Sequence, residues 1–88
     1  SKELILDSLM EFYKMNREEA ERFYRDMWLI VNSLAALVVT GSCPYDDAMI
    51  GKILTGFSIG IVKAIKEVPG FVDGSFDRDA VFTALIRE

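Results

Sequence analysis

Apolar residues recur along most of this chain at the spacing of an α-helix. Between Lys2 and Met15, the residues Leu4, Leu6, Leu9, Met10, Phe12, Tyr13 and Met15 keep to one side, while Glu3, Asp7, Glu11 and Lys14 fall on the other. The pattern predicts an amphipathic helix of about three turns. Asn16, followed three places on by Glu19, has the composition of a capping box, so a second helix is predicted from there to near Thr40, where Gly41 stops it. Pro44 suits the first turn of a third helix. Asp46 and Asp47 favour the positively polarised start of that helix, and Lys63 and Lys66 favour its end before Pro69. Val68–Ser75 reads as a loop, and Asp77–Ile86 as a short closing helix with Ala80, Val81, Ala84 and Leu85 on one side. No segment alternates as a strand does. The expected fold class is therefore all-α: an antiparallel helical bundle of three to four helices.

The two long helices carry more apolar surface than one bundle needs. On a helical wheel, Ala20, Phe23, Tyr24, Met27, Val31, Leu34 and Val38 share an arc that is expected to form the core. The opposite arc of the same helix begins charged, then turns small and neutral at Leu29, Ser33, Ala36 and Thr40. The third helix repeats the arrangement, with a core arc of Ile50, Ile53, Leu54, Phe57, Ile61, Ala64 and Ile65 beside a stripe of Gly51, Thr55, Ser58 and Val62. Small side chains let helix backbones approach closely. Three glycines inside one helix, Gly51, Gly56 and Gly60, cost roughly 1 kcal/mol each relative to Ala, and close contact would offset that. Two readings account for the stripes: a twofold mate that completes a four-helix interface, or further residues of the same chain packed over them.

Size and composition narrow the picture. The 88 residues suffice for one core and are too few for two, so residues 1–88 are read as a single helical domain. Hydrophobic residues make up 51% of the chain, which excludes disorder and leaves a surplus that implies a homo-oligomer. The net charge is −4 with no basic stripe, so this chain is not expected to grip nucleic acid or an anionic membrane by itself. Residues 27–45 carry no charge, but their strongly apolar part, Met27–Val39, falls short of the about 20 residues a membrane span needs. The chain has no His, which removes His-based acid–base catalysis and most catalytic zinc sites, and no enzyme activity or cofactor is expected. The single Cys43 reads as a reduced thiol in a cytoplasmic protein. A first residue other than Met, with no leader pattern after it, is what a piece of a longer parent would show.

The run from Glu19 to Leu37, which includes Trp28, Leu34 and Ala35, followed by Thr40-Gly41 and a second long helix, resembles the C-terminal half of TetR-type transcriptional regulators. The similarity spans about residues 5–67, with Asn32 and Ser33 standing where many members have His and Gly. The resemblance implies an all-helical dimer whose C-terminal domain senses an effector. DNA would be reached only through an N-terminal domain that this chain does not contain, and residues 1–88 would be a fragment of the regulatory domain. The family's two interface helices coincide with the helices whose stripes, Leu29, Ser33, Ala36 and Thr40 with Gly51, Thr55, Ser58 and Val62, the wheel assigns to a dimer interface.

Candidate ligand-binding residues follow from side-chain chemistry. Phe12, Tyr24, Met27 and Trp28, with Met10 and Tyr13, form a cluster suited to a small apolar effector, because Met adapts its shape and Tyr and Trp each add one polar handle. The same residues would serve equally as ordinary core. Asn32 needs hydrogen bonds amid its apolar neighbours and could meet an effector, a partner or its own backbone. Charges at Arg17, Glu18, Glu21, Arg22 and Arg25 read as a solvated face with pairs such as Glu18 with Arg22 and Glu21 with Arg25. The Asp73–Asp79 region lacks the alternation of a calcium loop. The expected function is ligand sensing and dimerisation in a transcriptional regulator. The alternative is a constitutive helical interaction module without a small-molecule site.

Overall fold

A computed structural model describes residues 1–87 and contains four helices in this order: α1 (Lys2–Phe12), α2 (Arg17–Val39), α3 (Asp47–Glu67) and α4 (Arg78–Arg87). No strand occurs among the described residues, so the protein is all-α. α2 starts on the predicted capping box: the Glu19 backbone N–H donates to Asn16 Oδ1 at 2.9 Å, and the Asn16 N–H donates to Glu19 Oε1 at 2.8 Å. It stops where Gly41 turns left-handed at φ 73°, allowing the Gly41 and Ser42 N–H groups to donate back to Val38 and Leu37. Two boundaries differ from the sequence reading. α1 ends at Phe12, because Lys14 adopts φ 57° and breaks the helix, and Met15 enters the core from a turn instead. α3 begins beyond Pro44, where Asp46 Oδ1 accepts the Met49 N–H at 2.8 Å and acts as the cap.

α2 lies in the middle, with α1 packed on one side and α3 on the other; α4 packs against none of the three. The bundle therefore consists of three helices. Its core is Leu6, Leu9, Met15, Ala20 and Ile65, supported by Phe23, Tyr24, Ile61, Val62, Phe71 and Val72. These residues sit at one end, where α1, the start of α2 and the end of α3 converge. Two polar ties reinforce that end. Arg17 forks onto Glu3 with contacts of 2.9 and 3.2 Å, and Lys66 Nζ donates to the Lys14 carbonyl at 3.0 Å.

At the other end, α2 and α3 continue as a two-helix arm without a third layer. The arc of α2 expected to be core there is only partly covered: Val31 and Val38 are about half exposed. The cause is the length of α1, whose 11 residues cannot follow the 23 of α2. The molecule is accordingly flat and spread, with extents of 39 × 35 × 19 Å and a radius of gyration of 15.0 Å, against about 12 Å for a compact chain of this length. Its accessible surface of 6545 Å² exceeds the about 5200 Å² typical of a folded monomer of its mass.

Candidate ligand groove and open arm

α1 leaves α2 partway along, and an apolar groove of about 270 Å³ opens in the corner between them. Ile5 and Leu9 of α1 form one wall, and Phe23, Tyr24, Met27, Trp28, Val31 and Asn32 of α2 form the other. The structure thus brings together Tyr24, Met27, Trp28 and Asn32, four of the residues singled out from sequence. It separates Phe12 from them. Phe12 lies with Leu4, Ser8 and Tyr13 in another recess on α1 and is 73% exposed. Asn32 Nδ2 donates to the Trp28 carbonyl at 2.7 Å, so the amide nitrogen is tied to its own helix backbone.

Tyr24 and Trp28 also form part of a second cleft of about 500 Å³, whose lining includes Val72 and the charged Lys2, Arg22, Arg25 and Asp73. The Lys2 ammonium stands 5.6 Å from the centre of the Tyr24 ring, within cation–π range. The Asp73 carboxyl is held below its usual range, chiefly by the Ser75 side chain and also by the Ser75 backbone N–H, which donates to Asp73 Oδ1 at 3.0 Å. The charge pairing on α2 differs from the sequence expectation. Arg22 and Arg25 both bind Asp26, and Arg17, not Arg25, takes Glu21. Arg22 and Asp26 are largely covered, so this is not a purely solvated face. The sequence did hold a signal for it, since Asp26 stands at i+4 from Arg22 as Glu18 stands at i−4.

The candidate interface residues divide into two sets. Leu29, Ser33, Ala36, Thr40, Gly51 and Thr55 are exposed along the arm. Ser58 and Val62 instead turn toward the inside of the chain: Ser58 Oγ lies 3.6 Å from Met27 Sδ, and Val62 packs on the core. Ser33, Thr40 and Ser58 each donate a hydroxyl to the carbonyl four residues back, at 2.8–2.9 Å. Their polar atoms are thereby satisfied within the helix, and the flank that Ser33 and Thr40 occupy behaves as a small, largely apolar surface. A Cβ built on Gly51, Gly56 or Gly60 would meet nothing within 4 Å, so no close approach among the described residues accounts for three glycines in α3. Cys43 is partly covered in the turn between α2 and α3, with Sγ 3.6 Å from the Tyr45 carbonyl. α3 is also long and apolar enough to cross a membrane, with a mean hydropathy of 1.6 over its best window. The property belongs to α3 and not to the uncharged run of residues 27–45.

Comparison with known proteins finds no matching family model, curated protein or solved structure.

Proposed function

We propose that this chain is the dimerisation and effector-sensing part of a TetR-type transcriptional regulator, acting in the cytoplasm and reaching DNA only through a domain outside these residues. One observation carries the reading: the apolar groove holding Tyr24, Met27, Trp28 and Asn32 opens on the same helix whose far half is left bare. The groove offers an apolar body with few polar groups, the usual make-up of a small-molecule site. The bare arm supports self-association. The surface in excess of a compact monomer, on the order of 1300 Å², is more than the about 800 Å² each partner contributes to a standard interface. The resemblance of residues 19–41 to the family's helix supports the assignment independently. Effector occupancy would act on the absent DNA-binding domain only through different affinity for two arrangements of the helices.

Two measurements on the chain test this. Ser33→Arg combined with Thr55→Arg places cations on the outward flank of both long helices, and sedimentation should convert dimer to monomer while helicity is retained. An unchanged dimer removes the arm from the interface. In a thermal-shift screen of uncharged bicyclic and tricyclic aromatics, a stabilising compound should lose most of its effect in Trp28→Ala. Equal shifts in both proteins, or none in the wild type, would favour the constitutive interaction module, which the bare arm supports equally well.

A further inference from the structure

A single side chain makes every side-chain hydrogen bond that joins the segment beyond Gly70 to the three packed helices, among the described residues. Arg22 Nη1 donates to the carbonyl oxygens of Phe71 at 2.7 Å and Val72 at 3.3 Å. Its guanidinium carbon lies 4.1 Å from the centre of the Phe71 ring, and Nε is held at 2.7 Å by Asp26 Oδ2. Both side chains of the ion pair are about four-fifths covered, with relative exposures of 19% and 20%. Asp26 also accepts two bonds from Arg25, at 2.9 and 3.0 Å, which fixes its carboxylate in place.

The segment that Arg22 holds is braced within itself. Gly70 and Gly74 both adopt left-handed φ, the Ser75 N–H donates to the Gly70 carbonyl at 2.9 Å, and the Phe71 and Phe76 rings stack with centres 5.7 Å apart. A Cβ on Gly70 would fall 2.5 Å from Ser75 Oγ, so the turn closes tightly on itself. α4 follows directly and packs on no other helix. α4 continues from the turn through Asp77, whose Oδ1 accepts the Ala80 N–H at 3.1 Å, and the two are attached to the body through the chain at Val68, the apolar contact of Phe71 and Val72, and the Arg22 fork. The same turn supplies Val72 and Asp73 to the cleft bordered by Tyr24 and Trp28.

We propose that Arg22 is a latch that positions the turn and α4: closed, it holds Val72 and Asp73 as a wall of the Trp28 cleft, and open, it lets turn and α4 swing away together and widens that cleft. The cleft it controls is distinct from the apolar groove proposed for sensing and shares only Tyr24 and Trp28 with it, so the latch goes beyond that function and rests on it only for what occupies the cleft. A guanidinium suits the task because it can serve two carbonyls, a carboxylate and a ring face at once, whereas an ammonium cannot present the same planar fork.

Hydrogen–deuterium exchange and quenching of the lone tryptophan test it on the 88-residue chain. In Arg22→Gln, amides of residues 70–87 should exchange at least tenfold faster while those of α1 and the buried part of α3 keep their wild-type rates, and acrylamide should quench Trp28 more strongly. Arg22→Lys should fall between the two. Asp26→Asn, which leaves the cation but removes its anchor, should accelerate the same segment to a smaller degree, and it stands in should Arg22→Gln not fold. Unchanged exchange over 70–87, or equal acceleration of all four helices, overturns the latch. A chain that binds an aromatic probe but ignores Arg22→Gln loses the latch alone. One that binds no probe while Arg22→Gln frees residues 70–87 loses the sensing reading alone.

Discussion

The two ends of α2 are built from similar apolar residues and live in different surroundings. Near its start, Ala20 is fully buried against Leu6, Leu9, Met15 and Ile65, and Arg17 ties it to α1. Toward its end, Val31 and Val38 remain about half exposed and Val39 is 85% exposed. The difference follows from length. At 1.5 Å per residue α2 runs about 34 Å and α1 about 16 Å, so α1 covers half of its neighbour and leaves the other half bare. An apolar stripe is a necessary condition for burial, and the reach of the neighbouring element decides whether it is met.

The largest effect expected from this contrast separates a residue of the closed end from one of the arm. Leu6→Ala removes a fully buried side chain and should cost about 2–5 kcal/mol of stability in urea unfolding. Val38→Ala, at a position that the helical wheel also assigns to the core, should cost within about 0.5 kcal/mol at concentrations where the chain is monomeric. Repeating the Val38→Ala measurement at high protein concentration sharpens the comparison, because a mate covering the arm would make the loss grow. Comparable losses for both substitutions in the dilute chain would erase the distinction between the two ends.

A smaller effect probes how the closed end begins. Asn16→Ala removes the side-chain half of the capping box that starts α2, the acceptor for the Glu19 N–H, while the backbone N–H of residue 16 can still donate to Glu19, and should lower stability by about 1 kcal/mol. Helical content near Arg17–Ala20 should fray in the same variant, measurable as faster amide exchange there. No fraying at these residues would mean that packing of Ala20 alone fixes the start of the helix.

The parts of this fold that the sequence made legible are the ones decided locally. Asn16 with Glu19, Gly41 with its left-handed turn, and the break at Pro69-Gly70 mark helix ends through contacts a few residues long. Tyr24, Met27, Trp28 and Asn32 were legible as a set for the same reason: one helix carries them at adjacent turns. Errors arose where a second element decides the outcome. The wheel placed Ser58 and Val62 outward and Phe57 inward, yet α3 is rotated so that Ser58 meets Met27 and Phe57 is half exposed. Periodicity gives angles within a helix and carries no information on where its neighbour stands. Phe12 parts from the groove because its ring falls on the open flank of α1, in the recess with Leu4 and Ser8. The Arg22 fork onto Phe71 and Val72 spans about fifty positions, and no local pattern foretells a bond of that separation.

The smallest effect concerns the exposed fork between Glu3 and Arg17, which joins α1 to α2 at the closed end. Arg17 holds the Glu3 carboxyl below its usual range, first through the side-chain hydrogen bond and then through its charge, and Glu3 in turn raises the Arg17 guanidinium. A carboxyl whose folded value is depressed contributes stability that is fully present above its unfolded value and lost as pH falls through the folded one. The wild type should therefore lose slightly more stability than Glu3→Gln between neutral pH and the acid side of the glutamate range. Because both groups face solvent, the difference should be small and should shrink in 1 M salt, where exposed charges are screened within about 3 Å. Urea midpoints of the two proteins at both pH values, in low and high salt, provide the check. Parallel losses at low salt would mean that apolar packing alone joins α1 to α2, which would sharpen the contrast with an arm that has no such third layer.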